Sequence, residues 1–267
     1  NPLWKYTDAQ LASHMAFGMH VADVIDRQSP CVPDRTSVIS MTNDYFANVT
    51  ALQMATMPRC ILPRVALYCS RSLATSKTAK SFRDHCFMAN EDMAAAPAGS
   101  KEYYVLHPLK WRLMTHALRS SLGVLFLDAD VLLIHDPFPD LVAVKTPVAM
   151  QRESYGNPFV RKKYYVNSGV VWQTSYALAR VLERVPSYEG DGDQDAVQRY
   201  LFAQSSPLHT LLPTSFAGHP WAKWKIVRFL IALQHKHFIT YHAHGVRGTN
   251  TTDAKLDVLL HVNRGVL

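Results

Sequence analysis

The alternation of apolar and polar positions divides the chain into short buried strands and amphipathic helices. Within a peripheral helical segment over residues 1–35, Leu11, Met15, Met19, Ala22 and Ile25 recur at helical spacing and predict one packing face; Pro30 and Pro33 end it. Residues 36–42 alternate as a strand, Asn43-Asp44-Tyr45 turns, and a helix follows through Val49, Leu52 and Met54 to Pro58. Residues 65–69 predict a second strand, and the polar stretch 70–101 a short helix with surface loops. Leu109, Leu113, Met114, Ala117 and Leu118 predict a helix over 110–118 with Gly123 as its C-cap. Residues 124–134 are apolar except for two carboxylates and predict one strand buried on both faces. Beyond them, 148–151 predict an edge strand, 164–172 two β-rich runs around Asn167-Ser168-Gly169, 175–185 and 196–202 helices, and 238–245 a last short strand. Without an internal repeat or a low-complexity linker, this order predicts a single α/β domain over residues 1–267. The first turn lacks a glycine-rich fingerprint, which excludes a signature dinucleotide fold or P-loop.

The carboxylates of the 124–134 run are Asp128 and Asp130. Ionised aspartates are costly inside such a strand unless they stand at its carboxyl end, beside a crevice, with a cation between them. Along an extended chain both point to the same side. Hard oxygen ligands of this kind suit Mg²⁺ or Mn²⁺, which keep positions open for phosphate oxygens. The alternative is an ordinary strand end whose acids cap the next helix. Gly169, inside strand-like sequence, marks a bulge, a close approach by a ligand or a hairpin corner. Asp193-Gln194-Asp195 precedes a helix, where carboxylates serve as caps or face a substrate. His242, at a strand end before Gly245, is a structural histidine or an imidazole ligand of the same ion. Trp221 and Trp224 lie beside basic residues and suit an acceptor platform or a lid anchor.

Composition narrows the classes. Hydrophobic content of 48% and charged content of 18% over 267 residues belong to a globular protein with a sizeable core. The net charge of +7 favours anionic partners, and because the basic residues are dispersed, nucleotide phosphates are a better match than nucleic acid. No apolar run approaches the roughly 18 residues of a membrane span, and Asn1 opens on no signal-like segment. Cys31, Cys60, Cys69 and Cys86 have no metal-site spacing and form two disulfides or four buried thiols. With the glycosylation sequons at Asn48 and Asn250 they lean toward a Golgi or secretory lumen, the cytoplasm being the alternative.

Phe126-Leu127-Asp128-Ala129-Asp130-Val131 followed by Asp136-Pro137 resembles the metal-binding core of GT-A nucleotide-diphospho-sugar transferases. The nearest likeness is to glycosyltransferase family 77, with the retaining family 8 enzymes as cousins, from about residue 38 to 260. The Thr42-Asn43 turn, Lys110, Asn167-Ser168-Gly169 with Asp193-Gln194-Asp195, and His242 with Gly245 stand in the family's order. The resemblance implies a Rossmann-like GT-A domain with a central mixed, mostly parallel sheet flanked by helices. It implies transfer, with retention, of a galactose-, xylose- or arabinose-class sugar from a UDP-sugar to a glycan or glycoprotein. Asp128, Asp130 and His242 would hold Mn²⁺ or Mg²⁺. Thr42, Asn43, Lys110, Asn167, Ser168, Gly169, Asp193, Gly245 and Lys255 would border the donor, Lys255 at the diphosphate, and Gln194 and Asp195 would approach the anomeric carbon. Val246-Arg247-Gly248-Thr249 stands where the family 8 cousins carry Lys-Pro-Trp, which puts the role of Lys255 in question; His244 is an extra imidazole without an assigned part.

Two other classes fit part of the pattern. A phosphatase of the haloacid dehalogenase type would use Asp128 as nucleophile, but would need a paired-acid motif on a strand end, and Asp193-Gln194-Asp195 follows glycines. A non-catalytic nucleotide- or carbohydrate-binding module would keep the metal site without turnover.

Overall fold

The computed structural model describes residues 6–93, 101–152, 166–185, 193–213, 215–218, 239–243 and 251–263. Their elements run α1 (Asp8–Ile25), β1 (Thr36–Thr42), α2 (Ala47–Thr56), β2 (Val65–Cys69), β3 (Cys86–Met88), α3 (Lys101–Ala117), β4 (Gly123–Leu127), β5 (Val131–Leu133), α4 (Phe138–Val142), β6 (Val148–Arg152), β7 (Val166–Gln173), α5 (Tyr176–Leu182), α6 (Asp193–Phe202), β8 (His209–Leu211), β9 (Phe216–Gly218), β10 (Thr240–His242) and α7 (Thr251–Asn263). Short 3₁₀ turns link several of them.

Seven strands form one sheet in the order β3-β2-β1-β4-β7-β6-β8. β3, β2, β1 and β4 run parallel, β7 is antiparallel to both its neighbours, and β8 is parallel to β6. The sheet is therefore mixed and mostly parallel, as the resemblance implied. A three-stranded sheet, β5-β10-β9, stands beside it. Both faces of the large sheet are covered, so its strands read as continuous apolar runs. Along β4, Val124 and Phe126 pack with Phe17, Trp111 and Leu113, whereas Leu125 and Leu127 pack with Val38, Met54 and Phe138 on the other face.

The structure departs from the sequence expectations where packing overrides local pattern. The buried face of α1 is Ser13, His14, Phe17, Gly18, Val21, Val24 and Ile25, leaving Met15 and Met19 54% and 73% exposed. The polar members of that face find tertiary partners: Ser13 Oγ meets Tyr68 Oη at 3.0 Å, and His14 Nε2 meets Glu91 Oε1 at 3.3 Å. Helix α3 extends back to Lys101 through Pro108, which cannot donate its share of the helical hydrogen bonding. Gly123 opens β4 instead of capping α3, which ends at Ala117; a Cβ there would stand 2.3 Å from the Trp172 ring. β6 is an interior strand, paired by β7 and β8, and not an edge. The stretch 70–101 adds the short strand β3. The turn at Pro137 continues into α4, with Asp136 Oδ1 accepting Phe138 N at 3.0 Å.

The largest correction concerns 124–134. It is not one strand: β4 ends at Leu127, and β5 begins at Val131 in the other sheet. Asp128–Asp130 forms the turn between them, closed by Val131 N on Asp128 O at 3.0 Å. A turn satisfies the two carboxylates better than an extended strand would, since it brings them to the rim of the sheet.

Candidate functional site

The site lies at the carboxyl ends of β1 and β4, where the connections leave the sheet in opposite directions; open α/β sheets bind ligands at such a crevice. Gln53, buried on α2, holds the acidic turn by donating Nε2 to Asp128 O at 2.9 Å and Val131 O at 2.7 Å. Asp128 N donates to Gly169 O at 2.8 Å, which fastens the turn to β7. Pairing of β5 with β10 sets His242 opposite Val131, and Ala243 N donates to Asp130 O at 3.0 Å. Sheet pairing thus brings together carboxylates and an imidazole far apart in sequence.

The ligand atoms of Asp128, Asp130 and His242 lie within 4.8 Å of one another. His242 Nε2 is 3.2 Å from Asp130 Oδ1, and both side chains are buried; Asp128 is 30% exposed. Burial alone would raise the Asp130 pKa, but the Lys255 ammonium and then the His242 ring hold its carboxyl well below the usual carboxylate range. Lys255, from α7, donates to Asp130 Oδ2, and its Nζ lies 5.6 Å from the Phe46 ring centroid. Burial opposes the Lys255 charge, but Asp130 outweighs it and raises the Lys255 pKa. A donor set of two carboxylates, one imidazole and an approach left open on the Asp128 side fits a hard or borderline divalent ion.

Lys110 is buried on α3. Its Nζ donates to Ser168 Oγ at 2.8 Å and Ser168 O at 3.3 Å, and lies 3.8 Å from Asp128 Oδ1. Asn167 Oδ1 accepts Gly169 N at 2.7 Å, shaping the irregular middle of β7. A Cβ on Gly169 would stand 2.2 Å from His242 Cε1, so the close approach anticipated at this glycine comes from the protein's own imidazole. Thr42 and Asn43 end β1. Thr42 Oγ1 faces Thr50 Oγ1 at 2.7 Å, while Asn43 caps Phe46 N at 3.2 Å and donates Nδ2 to Met93 O at 3.3 Å.

Asp193, Gln194 and Asp195 occupy the first turn of α6, and their side chains lie outside the described residues, as do Gly245, His244, Trp221 and Trp224. Sequence reasoning missed two amides, Gln53 and Gln151. Gln151, buried on β6, places Oε1 3.0 Å from His242 Nδ1 and donates Nε2 to Phe216 O at 2.9 Å. The only signal was a lone amide closing the apolar run 148–151; Gln53 sat in an unremarkable helical position.

The sequence model of the nucleotide-diphospho-sugar transferases matches residues 73–259, which include the acidic turn, the irregular strand and the imidazole. The chain belongs to the nucleotide-diphospho-sugar transferase family. No curated protein matches it in sequence. Among solved structures it is similar to a glycosyltransferase involved in glycosylation of the major capsid of PBCV-1, at 11% identity and TM-score 0.53, covering 84% of this chain and 98% of that one. It is likewise similar to the galactosyltransferase LgtC, solved with donor and acceptor sugar analogs, at 11% identity and TM-score 0.51, covering 85% and 95%. At such identities the likeness speaks for the fold, which is GT-A. This family member is thus a glycosyltransferase of the nucleotide-sugar class, and the phosphatase alternative has no support from the match.

Proposed function

We propose that this transferase is metal-dependent and retaining, and moves a galactose-, xylose- or arabinose-class sugar from a UDP-sugar to a glycan or glycoprotein. The observation that carries the reading is the convergence of Asp128, Asp130 and His242 on one point beside the crevice. Those three residues would hold Mn²⁺ or Mg²⁺; when bound, such an ion supplies Lewis acidity to the diphosphate leaving group. Lys110 steadies Asp128 and the Ser168 wall of the donor cleft, with Asn167 and Gly169 bordering the sugar. Thr42 and Asn43, at the end of β1, would border the nucleoside. Lys255 is tied to Asp130, and its charge serves the same carboxylate that the ion requires and the same diphosphate beyond it. Gln194, Asp195 and Asp193 belong to α6 and Gly245 to the segment after β10; their assignment to the sugar and donor rests on the resemblance alone. Retention proceeds by front-face substitution, in which the departing phosphate oxygen guides the acceptor hydroxyl and no enzyme nucleophile is required.

Two disulfides and the exposed Asn48 of a glycosylation sequon support a Golgi or secretory lumen as the working compartment. No helix among the described residues is long and apolar enough to cross a membrane.

Calorimetric titration with UDP tests the reading. Wild-type protein should bind UDP only with Mn²⁺ present, and Asp130→Ala should lose that binding by at least tenfold. Metal-independent UDP binding, or full retention by Asp130→Ala, would sink it. Binding without hydrolysis or transfer from any nucleotide-sugar would point to the binding module instead.

A further inference from the structure

We infer that Gln151 is a positioning residue: it locks His242 into the tautomer whose Nε2 lone pair faces Asp130, and so prepares the imidazole as a metal ligand. The inference rests on the metal reading above but concerns a residue outside the ligand set.

The argument is one of donors and acceptors. Phe216 O, 2.9 Å from one end of the Gln151 amide, is a carbonyl and can only accept. The amide end facing it is therefore NH₂, and the opposite end, 3.0 Å from His242 Nδ1, is the carbonyl Oε1. That oxygen also can only accept, so Nδ1 carries a proton. A neutral imidazole has one N–H, which leaves Nε2 with its lone pair, 3.2 Å from Asp130 Oδ1. Flipping the amide would set two carbonyl oxygens against each other in a buried place, where unpaired polar groups are most costly. Between that nitrogen and the carboxylate only a cation fits, a proton or a metal ion, and the Gln151 lock leaves Nε2 as the one ring nitrogen that can take it.

Backbone geometry explains why Gln151 reaches. Along β6 the register with β7 passes from Met150↔Val171 to Gln151↔Asn167, which leaves Ser168, Gly169 and Val170 without β6 partners. The irregularity falls where β7 carries a glycine, and the His242 ring lies against Gly169 there. Phe216 pairs with Thr240 in the small sheet, so Gln151 clasps both β9 and β10 from the large one. Partners in this second layer typically govern metal affinity by 10–100-fold, as an order of magnitude.

The test reads the ring and the metal separately. In ¹⁵N-labelled, metal-free protein in alkaline buffer, the His242 ring, assigned by its loss in His242→Asn, should be protonated at Nδ1 and bare at Nε2. Gln151→Leu should abolish that preference and weaken Mn²⁺ binding, titrated in the presence of UDP, by about 10–100-fold. A wild-type ring protonated at Nε2 overturns the proposal, as does a folded Gln151→Leu protein with wild-type Mn²⁺ affinity. Should Gln151→Leu fail to fold, the wild-type tautomer decides alone. Should wild-type protein bind no Mn²⁺, the metal reading falls, while the tautomer still judges the lock.

Discussion

A methyl group at position 169 would lie 2.2 Å from His242 Cε1, 2.5 Å from Nδ1 and 2.9 Å from Asn167 Oδ1. None of these neighbours is the loose end of a flexible chain: the ring is held by Gln151, and Asn167 by Gly169 N. Gly169→Ala should therefore displace the imidazole, lowering Mn²⁺-dependent UDP binding by at least tenfold. The loss of unfolding free energy should be the ordinary overpacking cost of about 1–3 kcal/mol. Gly123→Ala offers the control, since its clash is with Trp172 in the core. It should cost comparable stability, measured by urea midpoint, and leave UDP affinity within a few-fold. Sequence marked Gly169 as a bulge, a ligand approach or a hairpin corner, because glycine inside a strand is unfavourable without a reason. It could not say that the approaching group was an imidazole from the far end of the chain.

At the scale of elements, the packing of α1 on α3 carries a titratable consequence. Gly18 brings the helices together, with a Cβ there meeting His116 O at 3.0 Å. His116 is buried beneath this crossing, and burial, with Arg119, Arg112 and His14 adding to it, lowers its pKa from 6.5 to about 4. The unfolded chain thus takes up a proton between pH 6.5 and 4 that the folded protein refuses. Stability is full above that window and falls as pH drops through it, by at most about 3 kcal/mol from this group. Comparing urea midpoints at pH 7 and pH 4.5 checks this: His116→Gln should lose less stability on acidification than wild type does. A steeper loss in the variant would contradict the assignment. The orientation of α1 was misread from periodicity because Met15 and Met19 look like core residues and Ser13 and His14 do not. Tyr68 and Glu91, contributed by β2 and the segment after β3, reverse that judgement by hydrogen-bonding the polar pair.

For the molecule as a whole, all four cysteines are paired: Cys31–Cys60 joins the segments before β1 and β2, and Cys69–Cys86 ties β2 to β3. Their sequence separations of 29 and 17 residues imply about 3–4 kcal/mol of stabilisation each through the unfolded chain. Replacing Cys31 and Cys60 together by Ser should lower unfolding free energy by roughly 2–4 kcal/mol. Non-reducing mass spectrometry of wild type should find it four hydrogens lighter than the reduced chain. The amino-acid sequence by itself determined the α/β class, the strands β1 and β2 to the residue, and Asp128 with Asp130 as the candidate centre of the chemistry. These follow from local regularities: apolar runs that must be buried, and charges that burial forbids without a counter-ion. Tertiary structure alone decided that 124–134 splits between two sheets, that β10 lands beside β5, and that Gln53 and Gln151 fasten the turn and the imidazole. Each of those depends on which distant segments pair. Pairing is settled by the summed packing and hydrogen bonding of the entire fold, and nothing in a strand's own residues records its partner.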